Sequence, residues 1–113
     1  IIPLGGLGER FKQDGYYKPK PLIKIHGKEM IFYVIDNMTI SKQDKLYIIY
    51  HKDLDKFNFK DILLNRYENI ELIKLNKNTN GATETILYGL NNIDANLLLN
   101  KTNGDWQKLH FWI

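Results

Sequence analysis

A repeated alternation of short apolar runs with segments of helical spacing is the feature that most constrains this chain of 113 residues. The apolar runs have the length of β-strands, and the segments between them repeat apolar residues three and four positions apart. Strands are predicted at 1–4, 22–25, 45–50, 70–75 and 95–99, and helices at 29–40, 53–65 and 82–91. Alternating strands and helices form mostly parallel sheets with helices on both faces. The sequence therefore predicts a three-layer α/β/α domain.

The distribution of apolar residues within each segment predicts which side chains enter the core. The strand "KLYIIY", residues 45–50, is apolar along almost its whole length, which is typical of a strand covered on both faces. Asn80 is the predicted N-cap of the third helix, and Glu84 suits its first turn. The helical positions predicted to face inward are Ile31, Val34, Ile35, Met38, Leu54, Phe57, Ile62, Leu63, Ala82, Ile86, Leu87 and Leu90.

The loop that follows the first strand, Gly5 to Pro21, is the longest and richest of the connections. Ligands of open parallel sheets bind beyond the carboxyl ends of the strands, where this loop lies. A P-loop is excluded because no Gly-Lys-Ser/Thr follows Gly5 or Gly8. A dinucleotide loop is disfavoured because Phe11 stands where a third glycine is needed.

An anion-binding loop fits these residues better. Adjacent glycines allow successive backbone N–H groups to point at phosphate oxygens. Arg10 adds a planar, permanently charged guanidinium, and Lys20 adds a second positive charge between two prolines. A glycine loop with two cations suits a triphosphate that loses pyrophosphate.

Four motif elements follow one another near the beginning of the chain: Gly5-Gly6-Leu7-Gly8, Arg10-Phe11, Pro19-Lys20-Pro21-Leu22 and Gly27-Lys28-Glu29-Met30. In this order they resemble the sugar-1-phosphate nucleotidyltransferases, also called nucleotide-diphospho-sugar pyrophosphorylases. The segment Asn80-Gly81-Ala82-Thr83-Glu84-Thr85 is similar to the family's later Gly-Ala segment, which begins a helix. The resemblance covers roughly residues 1–100 and implies a Rossmann-like α/β/α fold with a mostly parallel sheet. Only the N-terminal part of such an enzyme is matched, so a truncated domain is expected.

The resemblance also implies roles for the matched residues. Arg10 and Lys20 would be the catalytic cations, acting on the pyrophosphate and near the α-phosphorus. The nucleotide would lie against Leu4, Gly5, Gly6, Gly8, Thr79 and Gly81. The implied partners are a nucleoside triphosphate and a sugar-1-phosphate, and the implied cofactor is Mg²⁺.

The chain departs from the family pattern after residue 100. Where the family places an acidic metal ligand, this chain has Thr102, and Asp105 follows three residues later as a candidate ligand. We expect residues 1–113 to form a single partial domain with an atypical tail at 101–113. Two alternatives therefore stay open: a catalytically dead nucleotide-binding or scaffolding domain, which could form a homo-oligomer, and a cytidylyltransferase that acts on a non-sugar phosphate.

The composition of the chain indicates a cellular compartment and excludes some chemistries and partners. The chain has no cysteine, which excludes disulfides and thiolate catalysis and predicts a reducing, cytoplasmic compartment. No apolar run is long enough to span a membrane. The net charge of +3 suits anionic small molecules, but it is too diffuse to indicate a nucleic-acid partner. His26, His51 and His110 lack metal-ligand spacing and are expected to be surface or packing residues.

Overall fold

The computed structural model describes residues 1–5, 19–38 and 44–92. A 3-10 turn, Lys20–Leu22, follows the first strand, and a 3-10 helix, Lys52–Phe57, follows the fourth. The regular elements in chain order are β1 (Ile2–Leu4), β2 (Lys24–Ile25), β3 (Lys28–Glu29), α1 (Met30–Asp36), β4 (Leu46–His51), α2 (Phe59–Arg66), β5 (Ile70–Leu75) and α3 (Ala82–Asn91).

The main sheet has the order β1-β4-β5, and both of its strand pairs are parallel. Ile48 is central, since it lies opposite Ile2 on one side and opposite Leu72 on the other. The predicted parallel sheet is thus confirmed. β2 and β3 form a separate antiparallel hairpin, whose turn places His26 and Gly27 at φ 52° and φ 78°.

The central strand β4 is buried along its whole length because helices cover both faces of the sheet. Side chains alternate along a strand, so Ile48 and Tyr50 join one core while Tyr47 and Ile49 join the other. The first core includes buried residues of α1 and α2, and the second includes Tyr88 and Leu90 of α3. These two cores make the three-layer α/β/α arrangement that the sequence predicts.

The first two helices are shorter than predicted. α1 ends at Asp36, and it buries Phe32 while leaving Val34 45% exposed, so the inward assignment of Val34 is wrong. The predicted helix 53–65 is divided in two at Asn58, which has the left-handed backbone angles φ 57° and ψ 33°. The break turns Phe59 inward, where it is fully buried against Tyr50 with ring centroids 5.3 Å apart.

Helix α3 has the predicted bounds but a different buried face. Thr85 and Gly89 lie inward, four residues apart, whereas Leu87 is 57% exposed, so its predicted inward position is wrong. The N-cap is Gly81 rather than Asn80. Glu84 does act in the first turn, since its carboxylate accepts a hydrogen bond from the backbone N–H of Asn80 at 2.9 Å.

An ionic cluster joins α1, α2 and the hairpin. The Asp36 carboxylate accepts hydrogen bonds from Arg66 at 2.9 Å and from the Tyr67 hydroxyl at 2.8 Å, and Lys28 Nζ lies 2.7 Å away. These partners, Lys28 first, lower the pKa of Asp36 to about 2. Burial raises the pKa of Tyr67 to about 12, and the hydrogen bond to the Asp36 carboxylate adds to this rise.

The strand predicted at 95–99, the family's metal-ligand position at Thr102 and the predicted tail 101–113 lie outside the described residues. Within the described part of the chain, none of the helices has the length and apolar character needed to cross a membrane.

Candidate functional site

The candidate site lies at the carboxyl edge of the main sheet. The three parallel strands end there at Leu4, His51 and Leu75. Gly5 follows the first of these strands, and the segment 76–81 connects the last of them to α3. Open parallel sheets bind their ligands at this edge.

Gly5 packs directly against two threonine hydroxyls. A Cβ added at Gly5 would overlap Thr85 Oγ1 and would lie 2.8 Å from Thr79 Oγ1 and 3.2 Å from Leu75 Cδ1. Only glycine can bring the backbone this close. The beginning of the glycine-rich loop is therefore held against the loop that precedes α3.

A chain of hydrogen bonds fixes those two threonines. Thr85 is 1% exposed, and its hydroxyl donates to the carbonyl of Gly81 at 3.1 Å. The hydroxyls of Thr79 and Thr85 are 2.6 Å apart. A hydroxyl has one hydrogen to donate, so Thr79 is the donor in this pair. Its remaining lone pairs can accept a hydrogen bond from another group.

His51 forms a second link between the sheet and the same loop. Its side chain is 3% exposed at the end of β4. Nδ1 accepts a hydrogen bond from the backbone N–H of Asp53 at 3.1 Å, and Nε2 lies 2.8 Å from Asn78 Oδ1. Because Nδ1 accepts, the hydrogen of the neutral ring is on Nε2 and is donated to Asn78. The buried side chain of His51 thus has a hydrogen-bond partner for each of its two ring nitrogens.

The structure places the predicted site residues as follows. Gly5 and Thr79 come together, and Thr85 of α3 packs against both. Gly81 begins α3 with φ 150°, a backbone conformation that favours glycine. Leu4 packs against the first core. Lys20 is exposed and is the first residue of the 3-10 turn that follows Pro19. Gly6, Gly8, Arg10 and Asp105 lie outside the described residues.

Sequence reasoning assigned no individual site role to three polar residues of this edge, which are His51, Asn78 and Thr85. The position of His51 was available as a signal, because it directly follows the apolar strand "KLYIIY" where carboxyl-edge residues are expected. Thr85 follows Gly81 by four residues, which places it one helical turn into α3. Neither residue type is diagnostic without knowledge of its neighbours.

The described residues do not by themselves form a metal centre. Within 1–5, 19–38 and 44–92, no group of three or more His, Asp or Glu side chains is placed to hold an ion. Mg²⁺ commonly takes one or two carboxylates together with substrate phosphates and water. Two described carboxylates are near this edge: Asp53 Oδ2 lies 3.7 Å from His51 Nδ1, and Glu84 accepts a hydrogen bond from the Asn80 N–H. Mg²⁺ as a cofactor is therefore an implication of the family resemblance alone.

Comparison with known proteins gives a result at the level of the fold. No family model matches the sequence, and no curated protein matches it. A solved structure, the nucleoside-diphosphate-sugar pyrophosphorylase from Vibrio cholerae RC9, matches with a TM-score of 0.62 and 22% sequence identity. The match covers 93% of this chain and 42% of that chain. The likeness establishes a Rossmann-like α/β fold, and the chain spans less than half the length of its structural neighbour.

Proposed function

We propose that this chain is the nucleotide-binding part of a nucleotidyltransferase that transfers a nucleotidyl group from a nucleoside triphosphate to a sugar-1-phosphate. The observation that carries the proposal is the contact of Gly5 with Thr79 and Thr85 at the carboxyl edge of the sheet. This contact brings together the two segments that the sequence resemblance assigns to the nucleotide. The similar Vibrio cholerae structure is that of a nucleoside-diphosphate-sugar pyrophosphorylase, which supports a nucleotidyltransferase-like activity.

The proposed chemistry needs positioning and charge rather than a nucleophilic side chain. A phosphate oxygen of the sugar-1-phosphate attacks the α-phosphorus and forms the new P–O bond. The bond between the α-phosphorus and the α–β bridging oxygen breaks, and pyrophosphate leaves with that electron pair. In this proposal the backbone from Leu4 to Gly8 lines the nucleotide, Arg10 binds the leaving pyrophosphate, and Lys20 neutralises charge near the α-phosphorus.

Mg²⁺ belongs to the proposal through the family resemblance. A divalent ion supplies positive charge to phosphate oxygens. Within the described residues no group of three or more His, Asp or Glu side chains is placed to hold an ion, so we assign Mg²⁺ no step. Asp105 stays a candidate ligand that a D105N variant would test through the Mg²⁺ dependence of activity.

A pyrophosphate-release assay tests the proposal. The protein is incubated with Mg²⁺ and pairs drawn from five nucleoside triphosphates and a panel of sugar-1-phosphates. Release is expected with at least one pair, and K20A and R10A are each expected to reduce it by about 100-fold or more, as when a transition-state charge partner is removed. K24A, which removes an exposed lysine of β2, is the matched control and should retain activity. Absence of release with every pair would contradict the enzymatic proposal.

A nucleotide-binding module without activity is the second candidate, and Thr102 at the expected metal-ligand position favours it. Its expected result is a rise in melting temperature with triphosphates, lost in R10A, in the absence of pyrophosphate release. Indifference to every triphosphate would contradict both candidates. Adding CTP with an alcohol phosphate to the assay tests the cytidylyltransferase alternative, for which release should occur with that pair alone.

A further inference from the structure

We propose that His51 is a positioning residue that holds the 76–81 loop in the conformation that binds the nucleotide. This inference rests on the proposed function, because it assigns the loop its role through Thr79 and Gly81. It goes beyond that function by placing the control of the loop in a buried side chain of the central strand.

The position of His51 makes it suited to this task. β4 lies between β1 and β5, so its last residue is at the centre of the carboxyl edge. His51 ends a strand whose other five residues are hydrophobic or tyrosine, and it is itself 3% exposed. Burying a polar ring in such a place is unfavourable unless both nitrogens have partners. Both of them do, through Asp53 on one side and Asn78 on the other.

The two partners determine what the ring does. The bond from the Asp53 N–H to Nδ1 fixes the ring relative to the 3-10 helix that begins at Lys52. The remaining nitrogen, Nε2, then donates to Asn78 in the loop. The Nδ1 bond thus directs Nε2 toward the loop.

The loop is consequently attached at two adjacent residues by different elements. Asn78 is bonded to β4 through His51, and Thr79 is bonded to α3 through Thr85. Together these bonds set the orientation of the peptide between Asn78 and Thr79, and hence the direction in which the Thr79 hydroxyl presents its free lone pairs. Loss of the Asn78 bond should leave the fold in place and loosen the loop.

Two substitutions of His51 distinguish the roles of its two ring nitrogens. Asn places an oxygen near the Nδ1 position and can still accept from the Asp53 N–H, but it is too short to reach Asn78. Gln places an amide N–H₂ near the Nε2 position and can donate to Asn78. The experiment therefore compares wild type, H51N, H51Q and N78A, with N65A as the matched asparagine-to-alanine control at an exposed position of α2.

Two measurements are made on each variant. Amide hydrogen exchange over residues 76–81 is measured without nucleotide, and dissociation constants are measured for the Mg²⁺ salts of ATP, GTP, CTP, UTP and dTTP. H51N and N78A are expected to speed exchange in the loop and to weaken the best-bound nucleotide about 10-fold, the effect of losing one hydrogen bond. H51Q should stay within about 3-fold of wild type in affinity, and N65A should be unchanged.

The outcomes separate this inference from the proposed function. If wild type binds none of the five nucleotides, the proposed function fails and the nucleotide role of His51 fails with it. If wild type binds but H51N and N78A bind equally well, the inference is overturned and the function stands. Should H51N fail to fold, N78A decides, because Asn78 is exposed and its replacement leaves the core intact.

Discussion

Gly5 has no room for a side chain, and the consequence can be measured at the scale of this one residue. In G5A the new methyl group would overlap the Thr85 hydroxyl and crowd that of Thr79. Thr85 is buried and bonded to Gly81, so it cannot move aside freely. We expect G5A to destabilise the protein by about 1–3 kcal/mol, as overpacking does. Urea denaturation at pH 7 measures this loss.

The double variant G5A/T85A shows whether the clash is the cause. T85A alone removes the hydroxyl and its hydrogen bonds, which costs stability. Combined with G5A it also removes the overlapping atom, so the double variant should be about 1 kcal/mol more stable than the sum of the single losses predicts. Additive losses would mean that Gly5 is needed for a reason other than this contact.

Asp36 provides a pH-dependent contribution to stability through its lowered pKa of about 2. A carboxylate with a lowered folded pKa stabilises the protein fully above its unfolded pKa, here 3.8, and loses that effect as the pH falls toward 2. We expect D36N to be about 1 kcal/mol less stable than wild type at pH 7, since its partners form a partly exposed network. The difference should persist to about pH 4 and shrink between pH 4 and pH 2.

Lys28 is the largest cause of that lowered pKa, and its removal supplies the control. In K28Q the pKa of Asp36 should move back toward its ordinary value, which makes the pH-dependent part smaller. Chemical denaturation of wild type, D36N and K28Q at several pH values measures both effects. A wild-type to D36N difference that stays constant down to pH 2 would contradict the role of the cluster.

At the scale of elements, the contact between α3 and β4 depends on Gly89. A Cβ at Gly89 would overlap Ile49 Cδ1 and lie 2.6 Å from its Cγ1, while Ile49 is itself fully buried. Alanine improves helix propensity by about 1 kcal/mol, but overpacking costs about 1–3 kcal/mol. We expect overpacking to dominate and G89A to be destabilised by about 1 kcal/mol or more, as measured by thermal and urea denaturation.

The exposed position Thr83 on the same helix is the control for propensity. T83A should be neutral or slightly stabilising, because no buried contact opposes the better helix former. Truncation of Ile49 removes the side-chain atoms that a Cβ at position 89 would overlap. I49A should therefore lower the free energy of unfolding less in the G89A background than in wild type. A G89A protein that gains stability would show that α3 can shift away from the sheet.

The elements that could be predicted from the sequence are those whose pattern reflects burial on a sheet. "KLYIIY" predicted a strand covered on both faces, and Leu46–His51 has two cores against it. Helix faces were harder to predict because they depend on what lies opposite. Thr85 and Gly89 face inward since the sheet approaches closely there, which turns the larger Leu87 outward.

The candidate site could be located from the sequence but not assembled from it. Gly5 and Thr79 were named from the resemblance, and the structure brings them together. His51 and Asn78 are 27 residues apart and meet only because β4 and β5 are parallel neighbours. A contact of this kind depends on strand register, which a single sequence does not reveal.

At the scale of the whole molecule, the two cores share one strand and should unfold together. Ile48 and Ile49 are both fully buried, but they point to opposite faces of the sheet. I48A and I49A are each expected to cost about 2–5 kcal/mol, as large-to-small core substitutions do. I25A, at a side chain that is 45% exposed, should cost no more than about 0.5 kcal/mol.

Native-state hydrogen exchange distinguishes a shared core from two independent ones. If β4 couples the faces, I48A should lower the protection of α3 amides as much as that of α1 and α2 amides, although α3 packs on the other face. I49A should act in the same way in the reverse direction. Loss of protection confined to the helices on the substituted face would show that each layer can open alone. The carboxyl edge, where both faces meet at His51, would then not be held by a single cooperative unit.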